Sequence, residues 1–198
     1  MGPTGIVPVD FLVCASTRDS GLEDWGRPHS LPTAKCSCEQ EESHKRLHRY
    51  LNDHLAGSVA AIELIDNLIS SHPHDRFGKF FRDLRNEIHS DQEKLRYLIR
   101  KVGAEESAIR KAGAWLAEKL GRTKFGDTDD SIELLGALEG LALGITGKRL
   151  FWRSLETISA NFPGLQGTDF NVLEERAQAQ LSWVEDLRIQ IVREAFRA

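Results

Sequence analysis

Residues 77–102 read FGKFFRDLRNEIHSDQEKLRYLIRKV, and the spacing of their apolar side chains decides the fold class. These side chains recur at alternating steps of three and four residues, which places them on one face of an α-helix. They are Phe77, Phe81, Leu84, Ile88, Leu95, Leu98 and Val102. Asp91 is the one break in the series. The sequence therefore predicts an amphipathic helix whose buried face carries a carboxylate near its middle.

Three other segments have the same helical spacing, and they begin after Ser43, after Asp130 and after Thr168 or Asp169. Their apolar faces are, in order, Leu47, Leu51, Leu55, Ile62, Ile65 and Ile69; Leu134, Leu138, Leu141, Ala142, Ile145 and Trp152; and Phe170, Leu173, Ala177, Val184, Leu187 and Ile191. An apolar stripe on a helix has to be buried against another element. We therefore predict an all-α fold, a four-helix bundle of two hairpins joined by a long connector.

The connector runs from Gly103 to about Asp130 and has an amphipathic stretch of its own, which predicts a short fifth helix. Its apolar residues are Ile109, Ala112, Trp115, Leu116 and Leu120. Four glycines share one side of the third long helix: Gly136, Gly140, Gly144 and Gly147. Each costs about 0.5 to 1 kcal/mol relative to alanine, so close approach of another backbone is expected. We expect the connector to lie there, with a second chain as the alternative.

Residues 1–42 differ in composition from the rest of the chain. Four of the six prolines lie in the first 32 residues, among scattered glycine and serine, with no sustained period. This composition predicts a disordered or loosely attached tail, followed by a helical bundle domain over residues 43–198. All three cysteines lie in the tail, and Cys36-x-Cys38 lacks a second ligand pair at zinc-site spacing. Inert thiols in a reducing cytoplasm are the plainer interpretation.

The charge distribution bears on the possible partners. The net charge of −4 comes from residues 1–42, which hold three basic and seven acidic side chains, so residues 43–198 are neutral. Binding to nucleic acid needs clustered, uncompensated lysine and arginine, so we expect no nucleic-acid partner. No apolar run reaches the length of a membrane span, so no membrane partner is expected. The stretch from Gly2 to Val13 lacks a basic region before its apolar residues, and the chain is expected to be cytoplasmic.

A polar residue interrupts the apolar face of each long helix near its middle. These residues are Ser58, Asp91, Arg149 and Gln180, each 15 to 18 residues from the neighbouring turn. At 1.5 Å per residue they lie at one depth, roughly 22 to 27 Å from a turn. His54 and Lys148 lie at the edges of the same faces. A buried charge without a partner costs several kcal/mol, so we expect Asp91 to pair with Arg149 or with His54.

Three interpretations of this polar layer remain open. Single buried polar residues fix the register of helices in coiled coils, and the layer could do the same here. Alternatively the layer is a ligand or catalytic site, because helical bundles also hold cofactors in their cores. The third interpretation is that counting along straight helices misplaces Arg149, whose long side chain could reach the surface.

Two long hairpins joined by a connector of about 27 residues resemble the ferritin-like superfamily, which includes rubrerythrins and bacterioferritins. That family holds two metal ions with a Glu on the first and third helices and Glu-x-x-His on the second and fourth. The nearest candidates in this sequence are Glu63, Glu87, Glu139, and Glu174 or Glu175. Neither histidine is present, and the carboxylates lie at different depths. The resemblance implies a ferritin-like bundle that has lost, or never had, its dinuclear metal site.

Two hypotheses about function follow. The first is a non-enzymatic ferritin-like bundle that acts through a protein partner or through self-association as a homo-oligomer, with no metal and no cofactor. The alternative is a metal- or cofactor-dependent oxidoreductase with an atypical site in the bundle core. No catalytic residue can be assigned from the sequence. The candidate site is the polar layer: His54, Ser58, Asp91, Lys148, Arg149 and Gln180.

Overall fold

The computed structural model describes residues 33–72, 76–105 and 130–197, and within these ranges the chain is helical with no strand. Its four long helices are α1 (Thr33–Ser71), α2 (Arg76–Lys101), α3 (Asp130–Ile158) and α4 (Phe170–Ala195). Two short 3-10 turns, Ser159–Asn161 and Pro163–Leu165, connect α3 to α4. The predicted all-α class is therefore confirmed. The predicted fifth helix and residues 1–32 of the predicted tail lie outside the described residues.

Two predicted helix ends are confirmed by their backbone geometry. Gly103 follows α2 with a φ of 75°, a left-handed conformation that glycine adopts without strain. The amide of Ala104 then donates to the carbonyl of Ile99 at 3.0 Å, which closes the helix with a capping turn. Asp169 caps α4, because its side chain accepts a hydrogen bond from the amide of Val172 at 3.2 Å.

The first helix begins earlier than predicted, at Thr33 rather than after Ser43. Residues 39–46 have exposed side chains and no apolar stripe, so hydrophobic periodicity could not detect them. They are rich in glutamate, glutamine and lysine, which have high helix propensity. Lys45 and Glu41 also form an ion pair of 2.8 Å across one turn. The predicted domain boundary at residue 43 therefore falls within a continuous helix.

One hydrophobic core receives side chains from all four helices. Its fully buried members include Leu51, Leu55, Phe81, Leu84, Leu138, Trp152, Leu155, Ala177 and Val184. The helices pack mainly as two pairs, α1 with α2 and α3 with α4, while α1 and α3 touch each other at fewer points. The sparse contact between α1 and α3 leaves space beside the core. No helix in the described ranges is long and apolar enough to cross a membrane.

Hydrogen bonds and a close glycine contact hold the carboxyl end of α2 in place. His48 contacts the carbonyl oxygen of Val102 through Nε2 at 3.2 Å, and Asn52 donates to the carbonyl of Glu105 at 3.2 Å. Gly164, in the connection between α3 and α4, lies directly against the end of α2. These contacts fix the end of α2 against the middle of α1 and against the connection between α3 and α4.

Candidate functional site

The carboxylate of Asp91 is the centre of a buried cluster that joins three helices. Asp91 is 2 % exposed and lies on the face of α2 that packs against α3 and α4. Its Oδ2 accepts a hydrogen bond from Nζ of Lys148 at 2.6 Å, and its Oδ1 accepts one from Nη2 of Arg176. The side-chain amide of Gln180 also donates to Oδ2, at 3.2 Å. Lys148 donates a further hydrogen bond to Oε1 of Gln180.

The predicted pairing of Asp91 with Arg149 is wrong, and Lys148 takes that place. Nη1 of Arg149 donates to Oε1 of Gln178 at 2.5 Å, in a contact near the surface. One residue along a helix is a rotation of 100° about its axis. Counting residues from a turn gave the correct depth along α3, but the neighbouring lysine is the residue that faces α2. The surface interpretation of Arg149 is therefore the one that the structure supports.

Arg176 was missed by the sequence analysis although a signal was present. It precedes Gln180 by four residues, and residues at that spacing share a helix face. Its guanidinium reaches across to Asp91, which is 85 residues away in the chain. Glu87, one turn before Asp91, accepts a weak hydrogen bond of 3.4 Å from the amide of Gln180. Two anionic and two cationic side chains therefore meet at this level.

The cluster continues toward α1 through two neutral polar side chains. Ser58 donates to the carbonyl of Leu55 at 2.7 Å and accepts a hydrogen bond from the amide of Gln92 at 3.0 Å. Gln92 is buried and follows Asp91 directly, so it carries the polar layer from α2 to α1. Ser58 and Gln180 thus satisfy donors and acceptors that the ion pairs leave over. All four helices contribute a polar side chain at this depth.

His54 packs against aromatic rings rather than pairing with Asp91, so that second predicted pairing is also wrong. Its ring stacks on Phe151 with centroids 4.1 Å apart, and it meets the edge of Tyr50 at 4.9 Å. Burial lowers the pKa of His54 below its usual 6.5, and the nearby Asp53 opposes this shift only in part. The imidazole is therefore mainly neutral at pH 7.

Burial also lowers the pKa of Lys148 from its usual 10.5. The carboxylates of Asp91 and Glu87 oppose this shift, and the positive charge of Arg176 adds to it. The ammonium group is thus held by its ion pair with Asp91 in a place from which water is largely excluded.

A cavity of about 460 Å³ lies beside this polar cluster, between α1, α2 and α3. His54, Ser58, Asp91 and Lys148, four of the six predicted site residues, lie in its wall. Gln180 stands behind Asp91, and Arg149 lies elsewhere. The rest of the wall is mostly apolar and includes Ala60, Ala61, Leu64, Ile88, Leu95, Leu141, Leu143, Ile145, Phe151 and Trp152.

Four glycines also line the cavity: Gly57 on α1, and Gly140, Gly144 and Gly147 on α3. A Cβ atom placed on any of them would meet no atom within 4 Å among the described residues. No described segment therefore makes the close backbone approach predicted for this side of α3. The absent side chains widen the cavity instead. The predicted cover, the connector, lies outside the described residues.

Trp152, one of the residues around the cavity, has a buried indole N–H without a partner among the described residues. Trp152 is 1 % exposed, and its Nε1–H has no hydrogen-bond acceptor among the residues that the structure describes. A buried donor without an acceptor loses its hydration without compensation, at about 1 to 3 kcal/mol. This donor lies on the same face of α3 as Lys148, one helical turn away.

The described residues do not form a metal centre. Within residues 33–72, 76–105 and 130–197, no three histidine, cysteine or acidic side chains lie close enough together to hold an ion. The candidates from the ferritin-like resemblance are dispersed: Glu63 and Glu139 are exposed, while Glu87 is engaged with Gln180.

Comparisons with models of known protein families, with curated proteins and with solved structures each found no match to this chain.

Proposed function

We propose that this protein is a non-enzymatic helical bundle that binds a small, largely apolar molecule in the cavity between α1, α2 and α3. The observation that carries the proposal is the cavity itself, about 460 Å³ with a mostly apolar wall. Ligand pockets typically measure about 300 to 1,000 Å³. The cavity falls within that range.

The glycines of the cavity wall support a role in binding. Each of the four lies inside a helix, where glycine destabilises by about 0.5 to 1 kcal/mol relative to alanine. Alanine would fit at every one of these positions among the described residues. Four replaceable glycines around one cavity are expected where open volume matters more than helix stability.

The polar cluster provides one wall of fixed shape. Asp91 accepts from three side chains on two helices, so its position is determined by α3 and α4 together. A network whose donors and acceptors are paired makes a core rigid, so the proposal assigns the polar layer a role in helix register and in the shape of the cavity. The two roles of the layer, register and ligand site, are therefore compatible.

Titration with N-phenyl-1-naphthylamine tests the proposal directly. This neutral probe has 17 non-hydrogen atoms and becomes fluorescent in apolar surroundings. We expect saturable binding with one site per chain. Gly144→Leu, which fills the cavity, should weaken binding at least tenfold. The matched control is Gly136→Leu, on the same helix but outside the cavity wall, and it should leave the affinity unchanged. Equal effects of the two variants, or no saturable binding, would contradict the proposal.

Self-association is a second candidate, favoured by exposed apolar side chains on α3. Leu143 is 76 % exposed and Leu150 is 50 % exposed, and seven residues separate them, so they lie on one face. Residues 43–198 are electrically neutral, so two copies would not repel each other. Analytical ultracentrifugation should then show a dimer that Leu143→Glu with Leu150→Glu dissociates. A wild-type monomer at millimolar concentration would remove this candidate.

We propose a ferritin-like arrangement of the helices only, without the metal site of that superfamily. Support comes from the order of two hairpins and from the long segment between α2 and α3. Elemental analysis of protein purified without chelator separates this from the oxidoreductase alternative. Stoichiometric iron or manganese would contradict a non-enzymatic role.

A further inference from the structure

The outer face of α3 carries apolar side chains that no described residue buries. Leu143 is 76 % exposed, Leu150 is 50 % exposed and Ile132 is 40 % exposed. Their spacings along the chain are close to three turns and two turns of a helix, so they form one stripe. Among residues 134–147 the single charged side chain is Glu139. A helix that is apolar on most of its sides is expected to be covered by another element.

Two opposite charges lie beside this stripe and are arranged symmetrically about its middle. Glu139 is four residues before Leu143, and Arg153 is three residues after Leu150. The distance from Glu139 to Arg153 is close to four helical turns, so both lie on the same side of α3. The leucine pair and the charged pair therefore have nearly the same midpoint, close to Thr146.

Both charges are available to a partner. The side chains of Glu139 and Arg153 are exposed, and neither forms an ion pair with another described residue. The pKa of Arg188 on α4 is raised mainly by its hydrogen bond with Glu185 and to a smaller extent by Glu139. Arg188 is thus engaged by Glu185 and leaves Glu139 without an ion-pair partner of its own in the described part of the chain.

This arrangement is self-complementary under a two-fold axis. Consider a second copy that lies antiparallel on the first, with the axis perpendicular to α3 at Thr146. Each residue then faces the residue that is equally far on the other side of the axis. Leu143 of one copy meets Leu150 of the other, and Glu139 meets Arg153. In a parallel pair, by contrast, each charge would face its own like.

Gly147 lies next to this axis, where the two backbones would come closest. A Cβ atom on Gly147 would meet no atom within 4 Å among the described residues, so the packing of its own chain does not require a glycine. Close approach of another backbone is a common reason for a glycine inside a helix. A second copy would supply the approach that no described segment makes.

We propose that two copies of this chain associate through the outer faces of their α3 helices in antiparallel orientation. Leu143 of each copy packs on Leu150 of the other, and Glu139 of each pairs with Arg153 of the other. This inference rests on the self-association candidate and adds to it the face, the orientation and the register of the two chains. Leu143 and Gly147 also line the cavity, so the interface borders it.

Charge reversal tests the orientation. Glu139→Arg and Arg153→Glu each place like charges together at both ends of the interface, so each variant should dimerise about tenfold more weakly than the wild type. An equimolar mixture of the two variants should recover the wild-type affinity, because a mixed dimer has two opposite-charge pairs again. The control Glu175→Arg reverses an exposed charge on α4 and should leave dimerisation unchanged.

Sedimentation equilibrium of the full chain, up to millimolar concentration, measures the dissociation constant of each dimer. Native mass spectrometry of the mixture counts the mixed dimer separately, since its mass differs from the masses of the two homodimers. Recovery on mixing also shows that both variants are folded, because an unfolded chain could not complete the interface of the other.

A disulfide tests the register without changing a charge. In a chain with Cys14, Cys36 and Cys38 replaced by serine, Gly147→Cys should give a covalent dimer under mild oxidation, because the two copies of this residue face each other at the axis. The control is Gly136→Cys, which lies on the same face of α3 but about 30 Å from its counterpart in the second copy. It should not crosslink.

The outcomes separate this inference from the other proposals. A wild-type monomer at millimolar concentration would overturn both this inference and the self-association candidate, and the cavity would still be tested by its own titration. A monomer destabilised by Leu143→Glu would in addition assign the cover of α3 to residues 106–129. A wild-type dimer with no recovery on mixing, or with equal crosslinking at residues 136 and 147, would overturn the antiparallel contact and leave association through another face.

Discussion

Removal of the Asp91 carboxylate is the perturbation with the largest expected effect. Asp91 is 2 % exposed and the side chain of Lys148 is 15 % exposed, so Asp91→Leu leaves a buried ammonium whose one remaining hydrogen bond among the described residues is to the oxygen of Gln180. Breaking a buried ion pair by deleting one partner costs about 3 to 5 kcal/mol. Because burial already lowers the pKa of Lys148, its ammonium group can lose a proton in the variant, which limits the cost. We therefore expect the free energy of unfolding to fall by about 3 kcal/mol.

Removal of the Lys148 ammonium should destabilise the fold less than removal of the Asp91 carboxylate, since Asp91 has other partners. After Lys148→Met the carboxylate still accepts from Arg176 and from Gln180. We therefore expect a loss of about 1 to 2 kcal/mol. The double variant removes both buried charges of the pair and should recover about 2 kcal/mol relative to the sum of the single losses.

Urea titration of the two single variants and the double variant measures this coupling energy. Arg149→Leu is the control, because Arg149 contacts Gln178 near the surface rather than Asp91. It should change the free energy of unfolding by less than about 0.5 kcal/mol and show no coupling to Asp91→Leu. Additive losses for Asp91 and Lys148, or a loss for Arg149→Leu as large as that for Lys148→Met, would refute the pairing.

Three further predictions concern the glycines, His54 and the first residues of the chain. Gly144→Ala should raise the free energy of unfolding by about 0.5 to 1 kcal/mol, since the added Cβ meets open space among the described residues. Gly164→Ala should lower the free energy of unfolding by more than about 1 kcal/mol, because the new Cβ would lie 2.7 Å from a backbone oxygen of α2. Urea titrations in which both alanine variants gain stability, or both lose it, would contradict the packing described. Burial lowers the pKa of His54 in the folded state, so the unfolded state binds the imidazole proton more tightly than the folded state does. Protonation below about pH 6.5 therefore favours unfolding. Wild-type stability should then fall relative to His54→Gln as the pH is lowered through 6.5, and a constant difference between pH 7.5 and 5.5 would rule this out. Deletion of residues 1–42 should leave the melting temperature within a few degrees, because residues 39–42 of α1 have exposed side chains; insolubility of the shortened chain would show that the removed residues pack on the bundle.

The helices and their buried faces could be predicted because they depend on local sequence. Residues three and four apart lie on one face whatever the helix later contacts, and Leu51, Leu84, Leu138 and Val184 are buried as that rule requires. The residues that cap or end a helix also act locally, which explains why Asp169 and Gly103 could be predicted as helix ends from the sequence. The start of α1 was missed for the complementary reason. Residues 39–46 are helical by propensity and have exposed side chains, so they carry no apolar stripe to reveal the helix.

The sequence by itself determined the class of fold, the four helices and the depth of the polar layer along them, because rise per residue is a constant of the α-helix. Only the tertiary structure decided that Lys148 and not Arg149 faces Asp91, and that Arg176 joins them from 85 residues away. Those outcomes depend on the rotation of each helix about its axis, to which apolar spacing is too coarse a guide. The cavity was likewise beyond prediction. Its volume is set by the distance between α1 and α3, and the open space beside Gly144 exists only once both helices are in place.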